Sequence, residues 1–214
     1  HDLIVFGATS FVGQILTRYL AEHFGTQGTL KWAIAGRSEA KLAALRNSLG
    51  LAAGRLPLLV ADAADEAALR RLCKGTRVVI STVGPYALHG EPLVKACAET
   101  GTDYCDLTGE VQWIRRMIEA YEPAAQESGA RIVHCCGFDS IPSDLGVYFL
   151  QQQARKRFSA PCTTVKMRVK AMRGGFSGGT AASLVNVVKE ATANPALRKE
   201  LANPYSICPE GYAP

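Results

Sequence analysis

The residues best suited to chemistry form a short segment near the start of the chain, which reads Gly7, Ala8, Thr9, Ser10, Phe11, Val12 and Gly13. The segment follows the apolar run Leu3–Phe6 and opens a helical pattern. In such a strand–turn–helix unit, the first glycine permits a tight turn and the last lets the helix pack closely on the strand. The backbone amides between them lie at the positive end of the helix, where a pyrophosphate binds. The segment predicts a dinucleotide site, and the alternative is a plain turn with packing glycines.

Ser10 occupies the position at which the middle glycine of this turn is usual. A side chain there is expected to keep the backbone slightly farther from the phosphates, although the serine hydroxyl can itself bond a phosphate oxygen. The glycine pattern is therefore imperfect. The location of the segment between a strand and a helix supports the prediction more strongly than the glycine pattern itself.

The end of the second apolar run, Ala35-Gly36-Arg37-Ser38, indicates which dinucleotide binds. An NAD site places an acidic residue here to bond the ribose, and this ending has none. Gly36 has no side chain and leaves room for a 2′-phosphate. The guanidinium of Arg37 presents several N–H donors in a geometry suited to that phosphate. The alternative is that Arg37 is a solvated surface charge. The start of a helix is an unfavourable place for a cation, which counts against this alternative. We therefore predict NADP(H) rather than NAD.

Two more strand ends are expected at the same carboxyl edge of the sheet, where ligands of open α/β folds bind. Asp62 and Ala63 follow the third strand, and they either border the adenine or begin the next helix. The end of the fourth strand is expected to form a backbone wall for the nicotinamide ribose, and its residues are Thr82, Val83, Gly84 and Pro85.

Tyr86 is the first candidate for a proton donor, because a phenol beside the fourth strand would lie near the nicotinamide. The alternative is an aromatic ring that packs a loop. Asp106 and Glu110 follow the fifth strand, and each either meets the pocket or caps the next helix. The cysteines at 135 and 136 end an apolar strand and are read as small hydrophobic residues. No metal site is predicted, because neighbouring strand residues face opposite sides and no paired ligand spacing exists.

The elements that must position these residues alternate between short apolar strands and longer helices. Six strands are predicted, at Leu3–Phe6, Leu30–Ala35, Leu56–Ala61, Arg77–Thr82, Asp103–Leu107 and Arg131–Cys135. Helices are predicted near Val12–Phe24, Glu39–Leu49, Glu66–Cys73, Glu91–Thr100 and Val111–Ser128. Expected N-caps are Ser38 and Asp65, and expected left-handed C-terminal glycines are Gly50, Gly75, Gly101 and Gly129. This alternation predicts an α/β fold with a doubly wound parallel sheet of the Rossmann type.

After Asp144 the pattern changes, and a second domain is predicted to begin. Thr164–Ala171 alternates polar and apolar residues, as a half-buried strand does. One more helix is predicted at about Thr180–Ala193. We therefore divide the chain into residues 1–144, an NADP-binding Rossmann domain, and residues 145–214, the start of a substrate or dimerisation domain that looks truncated.

Composition limits the class of protein. Of the 214 residues, 48% are hydrophobic and 20% are charged, with a formal net charge of +5, which is typical of a globular protein. The basic residues are scattered except at 155–157, so no nucleic-acid partner is expected. Seven cysteines without paired spacing predict a reduced, cytoplasmic chain. No apolar run is long enough to span a membrane, and peripheral membrane contact stays open. The chain starts at His1 without a methionine and looks trimmed.

With these residues in hand, the chain resembles the saccharopine dehydrogenase-like oxidoreductases, and within them the bacterial trans-acting enoyl reductase branch. The resemblance spans most of the chain. Its most specific segments are Gly101–Glu110 and Cys136–Asp144, and it also includes Gly7–Gly13, Ala35–Arg37 and Val83–Tyr86. It implies a Rossmann domain followed by a mixed α/β domain with an antiparallel sheet, in a chain that continues beyond Pro214.

The resemblance also implies that the loop after the sixth strand lies near the nicotinamide. Gly137 and Phe138 would contact the cofactor there, and Asp139 would be a catalytic residue. The alternative for both Asp139 and Asp144 is capping the helix that begins near residue 142, and capping is favoured for Asp144. The loop lacks the Pro-Gly order of saccharopine reductases, so amino-acid chemistry does not follow from the resemblance.

The function expected from these observations is an NADPH-dependent oxidoreductase that reduces a carbon-carbon double bond of a lipid-type enoyl substrate, either small or carried by a separate synthase. The alternatives are an imine or amino-acid oxidoreductase of the saccharopine type and a non-catalytic NADP-binding sensor or scaffold. A homodimer is one further expectation, because an exposed antiparallel sheet would offer an edge for pairing.

Overall fold

A computed structural model describes residues 1–50, 54–171, 173–175, 177–209 and 211. Its centre is a six-stranded parallel sheet in the order β3-β2-β1-β4-β5-β6. The strands are β1 (Leu3–Phe6), β2 (Trp32–Gly36), β3 (Leu58–Val60), β4 (Val78–Ser81), β5 (Asp103–Asp106) and β6 (Ile132–Val133). All six strands were predicted, and the observed ones are mostly shorter by one to three residues at an end. The predicted Rossmann-type α/β fold is confirmed.

The sheet is buried on both faces, as continuous apolar strands require. One face packs Ile4 and Phe6 against helices that follow β3 and β4, and the other packs Val5 and Ile34 against helices that follow β1 and β2. Ile4, Val5 and Ile34 have no exposed surface. Burial of each such side chain stabilises the fold by roughly 1.5–3 kcal/mol, so these three residues hold the centre of the sheet rigid beneath the turn that follows β1.

Helices connect the strands on both faces. They are α1 (Phe11–Phe24), α2 (Glu39–Ser48), α3 (Glu66–Lys74), α4 (Tyr86–His89), α5 (Glu91–Thr100) and α6 (Val111–Ser128). The predicted N-caps are confirmed, because Ser38 accepts from the amide of Lys41 and Asp65 from that of Ala68. Gly101 and Gly129 are left-handed as predicted. Gly75 is not, and the prediction there is wrong, because its amide bonds the carbonyls of the preceding turn and its φ is −94°.

The region after β6 contains α7 (Ile141–Phe158), α8 (Gly178–Ala193) and α9 (Pro195–Leu201). The helix predicted at Thr180–Ala193 is therefore confirmed, whereas α4 and α9 were not predicted. None of the described helices is both long and apolar enough to cross a membrane. The division of the chain at Asp144 stays a prediction, and that residue lies in the first turn of α7.

The strand predicted at Thr164–Ala171 does not form. A half-buried strand needs a neighbour to bond its exposed amides and carbonyls. No segment among the described residues pairs with this one, and the described part of the chain contains only parallel pairs. The expected antiparallel sheet is accordingly absent from the described residues.

Candidate functional site

The carboxyl edge of the sheet contains a cleft of about 550 Å³. The cleft lies where the strand order reverses, since the chain moves outward from β1 first to β2 and β3 and then to β4 on the other side. Parallel sheets bind ligands at such a point, because the loops of the two halves separate there. Nine predicted cofactor residues line the cleft: Gly7, Thr9, Ser10, Arg37, Asp62, Ala63, Thr82, Val83 and Gly84.

The two glycines of the first turn are required by close contacts. Gly7 has a φ of +82°, and a Cβ atom there would lie 2.6 Å from Val83 Cγ2. A Cβ atom on Gly13 would lie 2.8 Å from Ala8 Cα and closer still to the carbonyl oxygen of Gly7. Both distances are too short for carbon, so α1 packs directly on the backbone of the turn, in the way that the sequence pattern predicts.

The amides of the turn leave donors available to a ligand. The amide of Ser10 donates to the carbonyl of Gly7, and that of Gly13 donates to the Ser10 hydroxyl. By contrast, the amides of Phe11 and Val12 donate to no acceptor among the described residues. The first amides of a helix have no intrahelical partner and carry the positive end of its dipole. A phosphate oxygen would satisfy these two donors at the start of α1.

The Ser10 hydroxyl has a structural role in this turn. It caps α1 by accepting from the amide of Gly13 at 2.9 Å, and it lies 2.9 Å from the hydroxyl of Thr82. The Thr82 hydroxyl also lies within hydrogen-bond distance of the carbonyls of Gly7, at 2.8 Å, and Phe6, at 3.2 Å. The Ser10 hydroxyl thus has two partners within the protein, and it ties the turn to the end of β4.

Replacing Ser10 by Ala removes both the cap and the bond to Thr82. We expect the free energy of unfolding to fall by about 1–2 kcal/mol, the usual loss for an N-cap, and Tm to fall by roughly 2–8 °C. Thermal unfolding measures the change. Ser38→Ala, which removes a cap without a second hydroxyl partner, is the control. A loss no larger than that of the control would contradict the role assigned to the hydroxyl pair.

The β2 end of the cleft is positively charged. Arg37 is exposed beside Gly36, and Lys41 lines the same cleft one turn further along α2. Neither cation forms an ion pair with a described residue. Sequence reasoning identified Arg37 but missed Lys41, Ser38 and His89 as lining residues.

Asp62 lies at the cleft and also in the turn before α3, and its contact with the adenine stays a prediction. It lines the cleft together with Ala63. Its carboxylate also accepts from the amide of Ala64 at 2.9 Å, and its carbonyl accepts from the amide of Asp65, which caps α3. The carboxylate is thereby fixed at the rim of the cleft by the turn that begins the helix.

Tyr86 lies in the hydrophobic core rather than in the cleft. Its ring is 5% exposed and packs on Trp113, and its hydroxyl donates to the carbonyl of Ser81 at 3.0 Å. Burial raises the pKa of this phenol well above its ordinary value, and the carboxylate of Asp106 adds to the effect. This is the arrangement of the packing alternative. The Tyr86 hydroxyl bonds the backbone of β4 and Tyr86 does not line the cleft, while a catalytic role for it stays a prediction.

Asp106 and Glu110 are buried carboxylates with distinct partners. Asp106 accepts from the Tyr104 hydroxyl at 2.9 Å, from the amides of Thr108 and Cys135, and from Nδ1 of His134 at 2.7 Å. It therefore joins the ends of β5 and β6. Neither carboxylate caps α6, since no side chain accepts from its first amides.

Glu110 caps α4 and not α6, the helix that follows it in the chain. Its carboxylate accepts from the amides of Tyr86 at 2.8 Å and Ala87 at 3.0 Å, which begin α4. It also accepts from the hydroxyl of Ser183 in α8 at 2.9 Å. No local sequence pattern signals this role, because the helix that it caps has only four residues and lies 24 residues earlier in the chain.

The cysteines near this edge are neutral thiols. Burial raises the pKa of Cys105 to about 12 and also raises the pKa values of Cys135 and Cys136. A thiol must lose its proton to act as a nucleophile. These environments therefore match the interpretation of the cysteines as small hydrophobic residues.

The loop after β6 shares the carboxyl edge but does not line the cleft. Gly137 packs against Leu107, whose Cβ would lie 2.9 Å from a Cβ at position 137. Phe138 is 78% exposed, and Asp139 is also exposed. Asp144 lies in the first turn of α7 without bonding its amides, so the predicted side-chain cap does not form. Helix α7 instead begins after Ser140, whose carbonyl accepts from the amide of Asp144.

The remaining predicted residues support the cleft from outside it. Ala8, Phe11, Val12 and Gly13 carry the backbone of the turn, and Pro85 precedes α4. A second cavity of about 650 Å³ runs along α6 and β6 on one face of the sheet. None of the predicted cofactor residues lines this second cavity.

Comparison with known proteins places the fold in a described family. Residues 3–133 match the model of the saccharopine dehydrogenase NADP binding domain. Among solved structures, saccharopine dehydrogenase (L-Glu forming) from Saccharomyces cerevisiae is similar over 72% of this chain and 31% of its own, with a TM-score of 0.51 and 22% identity. At that identity the likeness concerns the fold alone.

Closer similarity appears among curated sequences. A putative trans-acting enoyl reductase of Mycobacterium tuberculosis is 44% identical over 209 residues, which are 98% of this chain and 49% of the relative. A trans-acting enoyl reductase of Mycobacterium bovis is 40% identical over 207 residues, 96% of this chain and 49% of the relative. The chain thus spans about half the length of the curated relatives that it matches.

Proposed function

This chain belongs to the saccharopine dehydrogenase NADP-binding domain family, and from that premise we propose that it is the cofactor-binding part of an NADPH-dependent enoyl reductase. The cofactor predicted from the sequence, NADP(H), agrees with the domain family that the chain matches. The substrate and the reaction are the new part of the proposal. They are supported by the printed names of relatives that are 40–44% identical over nearly the whole chain.

The observation that carries the proposal is the combination of two features at one cleft. At the start of α1, beside the cleft, the amides of Phe11 and Val12 have no acceptor among the described residues, and Arg37 and Lys41 line the cleft without an ion pair to any described residue. A pyrophosphate and a 2′-phosphate carry negative charge at two separated points of NADP. The donors present therefore fit NADP, and Gly36 lines the same cleft without a side chain.

Each part of the cleft would hold one part of the cofactor. The turn from Gly7 to Gly13 would bind the pyrophosphate, Asp62 and Ala63 would border the adenine, and Thr82, Val83, Gly84 and Pro85 would lie beside the nicotinamide ribose. The loop carrying Gly137, Phe138 and Asp139 would close the nicotinamide end. Bound NADPH would supply a hydride to one carbon of the substrate double bond, with a proton completing the other.

The second region is proposed to face the substrate. Helix α8 approaches the nicotinamide end of the cleft, since the hydroxyl of Ser183 would lie 3.9 Å from a Cβ on Gly84. Its exposed side chains include Leu184, Val185 and Val188. These side chains lie on other faces of α8 than Ser183, so they are not themselves placed against Gly84. The preference for enoyl reduction over imine reduction of the saccharopine type rests on the printed names of the relatives.

The direct test mixes the purified protein and NADPH with a 2-enoyl thioester of lipid length. We expect loss of NADPH absorbance together with a saturated product in the mass spectrum. Parallel reactions replace NADPH by NADH, or the enoyl substrate by an imine formed from an amino acid and an oxo acid. Turnover of the imine alone would overturn the substrate assignment. NADPH binding without turnover of either substrate would contradict the enzyme assignment and favour a sensor.

A further inference from the structure

We propose that Glu110 is a positioning residue that couples α8 to the loop beside the nicotinamide. This inference rests on the proposed function and adds a role that the cofactor contacts do not contain. Glu110 touches neither the cleft nor the phosphate turn. Its carboxylate instead links the start of α4 to α8, while its own amide donates to the Thr108 hydroxyl in the loop before α6.

The first step concerns the start of α4. This helix has only four residues, and Pro85 before it provides no side-chain cap. The amides of Tyr86 and Ala87 therefore depend on Glu110, whose two carboxylate oxygens accept one bond from each. Only Pro85 separates the segment that they begin from Gly84, and Gly84 lines the cleft. Glu110 thus sets the position of the loop that ends at the nicotinamide side.

The second step concerns α8. Ser183 donates to the same oxygen that Tyr86 uses, and Gln112 of α6 donates to Glu190 further along α8 at 3.2 Å. Glu110 is only 2% exposed and has no ion pair among the described residues. A buried carboxylate is stable only with its hydrogen bonds complete. Removing the Ser183 bond must therefore change how firmly the same oxygen holds the start of α4.

The experiment compares Ser183→Ala with wild type by hydrogen exchange and by kinetics. We expect the amides of residues 86 and 87 to exchange about 5- to 10-fold faster, because local opening becomes easier. In the reductase assay we expect kcat to fall about 5-fold while the Kd for NADPH stays within about twofold. A defect that only unfolded the protein would change both kinetic quantities and Tm together.

The matched control is Asn186→Ala on the same helix, which removes a bond to Glu190 without touching the loop. It should leave the exchange of residues 86 and 87 and the value of kcat unchanged. A double-mutant cycle completes the test, since Ser183→Ala should add little to the effect of Glu110→Gln if both act through one carboxylate. Additive effects, or unchanged exchange in Ser183→Ala, would overturn the coupling.

Failure of the coupling can be told apart from failure of the proposed function. The exchange measurement needs neither cofactor nor substrate, so it reports on the coupling of α8 to the loop even in a protein that reduces nothing. Absence of NADPH binding or of enoyl turnover in wild type would overturn the function, and with it the positioning role. Normal turnover with unchanged exchange in Ser183→Ala would overturn the coupling alone.

Discussion

Gly13→Ala is expected to weaken NADPH binding by about 10- to 100-fold and to lower the free energy of unfolding by roughly 1–3 kcal/mol. The added methyl group would lie 2.8 Å from Ala8 Cα and closer to the carbonyl oxygen of Gly7. Both neighbours are backbone atoms of the turn and cannot rotate away. Helix α1 would have to move off the turn, carrying the free amides of Phe11 and Val12 away from the pyrophosphate. Fluorescence titration with NADPH and chemical unfolding measure the two effects.

The control for this substitution is Gly146→Ala in α7, where a Cβ atom meets nothing within 4 Å. Alanine is a better helix former than glycine by about 1 kcal/mol. We therefore expect the same chemical change to stabilise the protein slightly at 146 and to destabilise it at 13. NADPH affinity that survives Gly13→Ala unchanged would show that the turn does not bind the pyrophosphate.

The second large effect is expected from Arg37→Ala. A charge-assisted bond contributes about 1.5–3 kcal/mol, so NADPH affinity should fall about 10- to 100-fold. NADH affinity should stay within about twofold, because NADH has no 2′-phosphate for the guanidinium to bond. Lys41→Ala should cause a smaller loss for NADPH alone, since an ammonium binds phosphate as a point charge without the bidentate geometry of arginine. Calorimetric titrations with both cofactors measure the two ratios.

Arg18→Ala provides the control, because Arg18 is exposed on α1 and does not line the cleft. It changes the net charge by the same amount as Arg37→Ala. Equal losses of NADPH affinity in the two variants would mean that only the overall charge matters. Equal losses of NADPH and NADH affinity in Arg37→Ala would show that Arg37 does not bind the 2′-phosphate. The preference for NADP(H) would then have no residue that explains it.

The parallel sheet could be predicted because local sequence carries its signals. Most strands are short, largely apolar runs, β5 (Asp103–Asp106) being the exception, and caps such as Ser38 and Asp65 mark where the next helix begins. The region after residue 144 was less predictable. Alternation at Thr164–Ala171 satisfies the pattern of a strand, but a strand also requires a neighbour that local sequence does not reveal. Helix α9 carries a cap at Asn194 and a proline in its first turn, and these signals were overlooked.

The cleft residues whose role depends on backbone position could be predicted from the sequence. The residues whose role depends on side-chain partners far away in the chain were harder to predict. Gly7, Gly13 and Arg37 lie at strand ends, so their place in the fold follows from the order of the elements. Tyr86 and Glu110 also follow strand ends, yet the sequence does not say which way their side chains point. The bond that Tyr86 donates to Ser81 and the bond that Glu110 accepts from Ser183 depend on tertiary packing.

The pair of hydroxyls at Ser10 and Thr82 bears on the entropy of cofactor binding. Fixing one residue of a flexible loop costs roughly 1–2 kcal/mol of conformational entropy at room temperature. Here the turn is already held from both sides, by the cap on Gly13 and by the link to the end of β4. A glycine at position 10 would allow a closer approach to the phosphate but would leave that ordering to the ligand. The serine therefore keeps the backbone farther from the phosphate but orders the turn before the cofactor binds. Cofactor association should carry a smaller entropic penalty in this chain than in a Ser10→Gly variant.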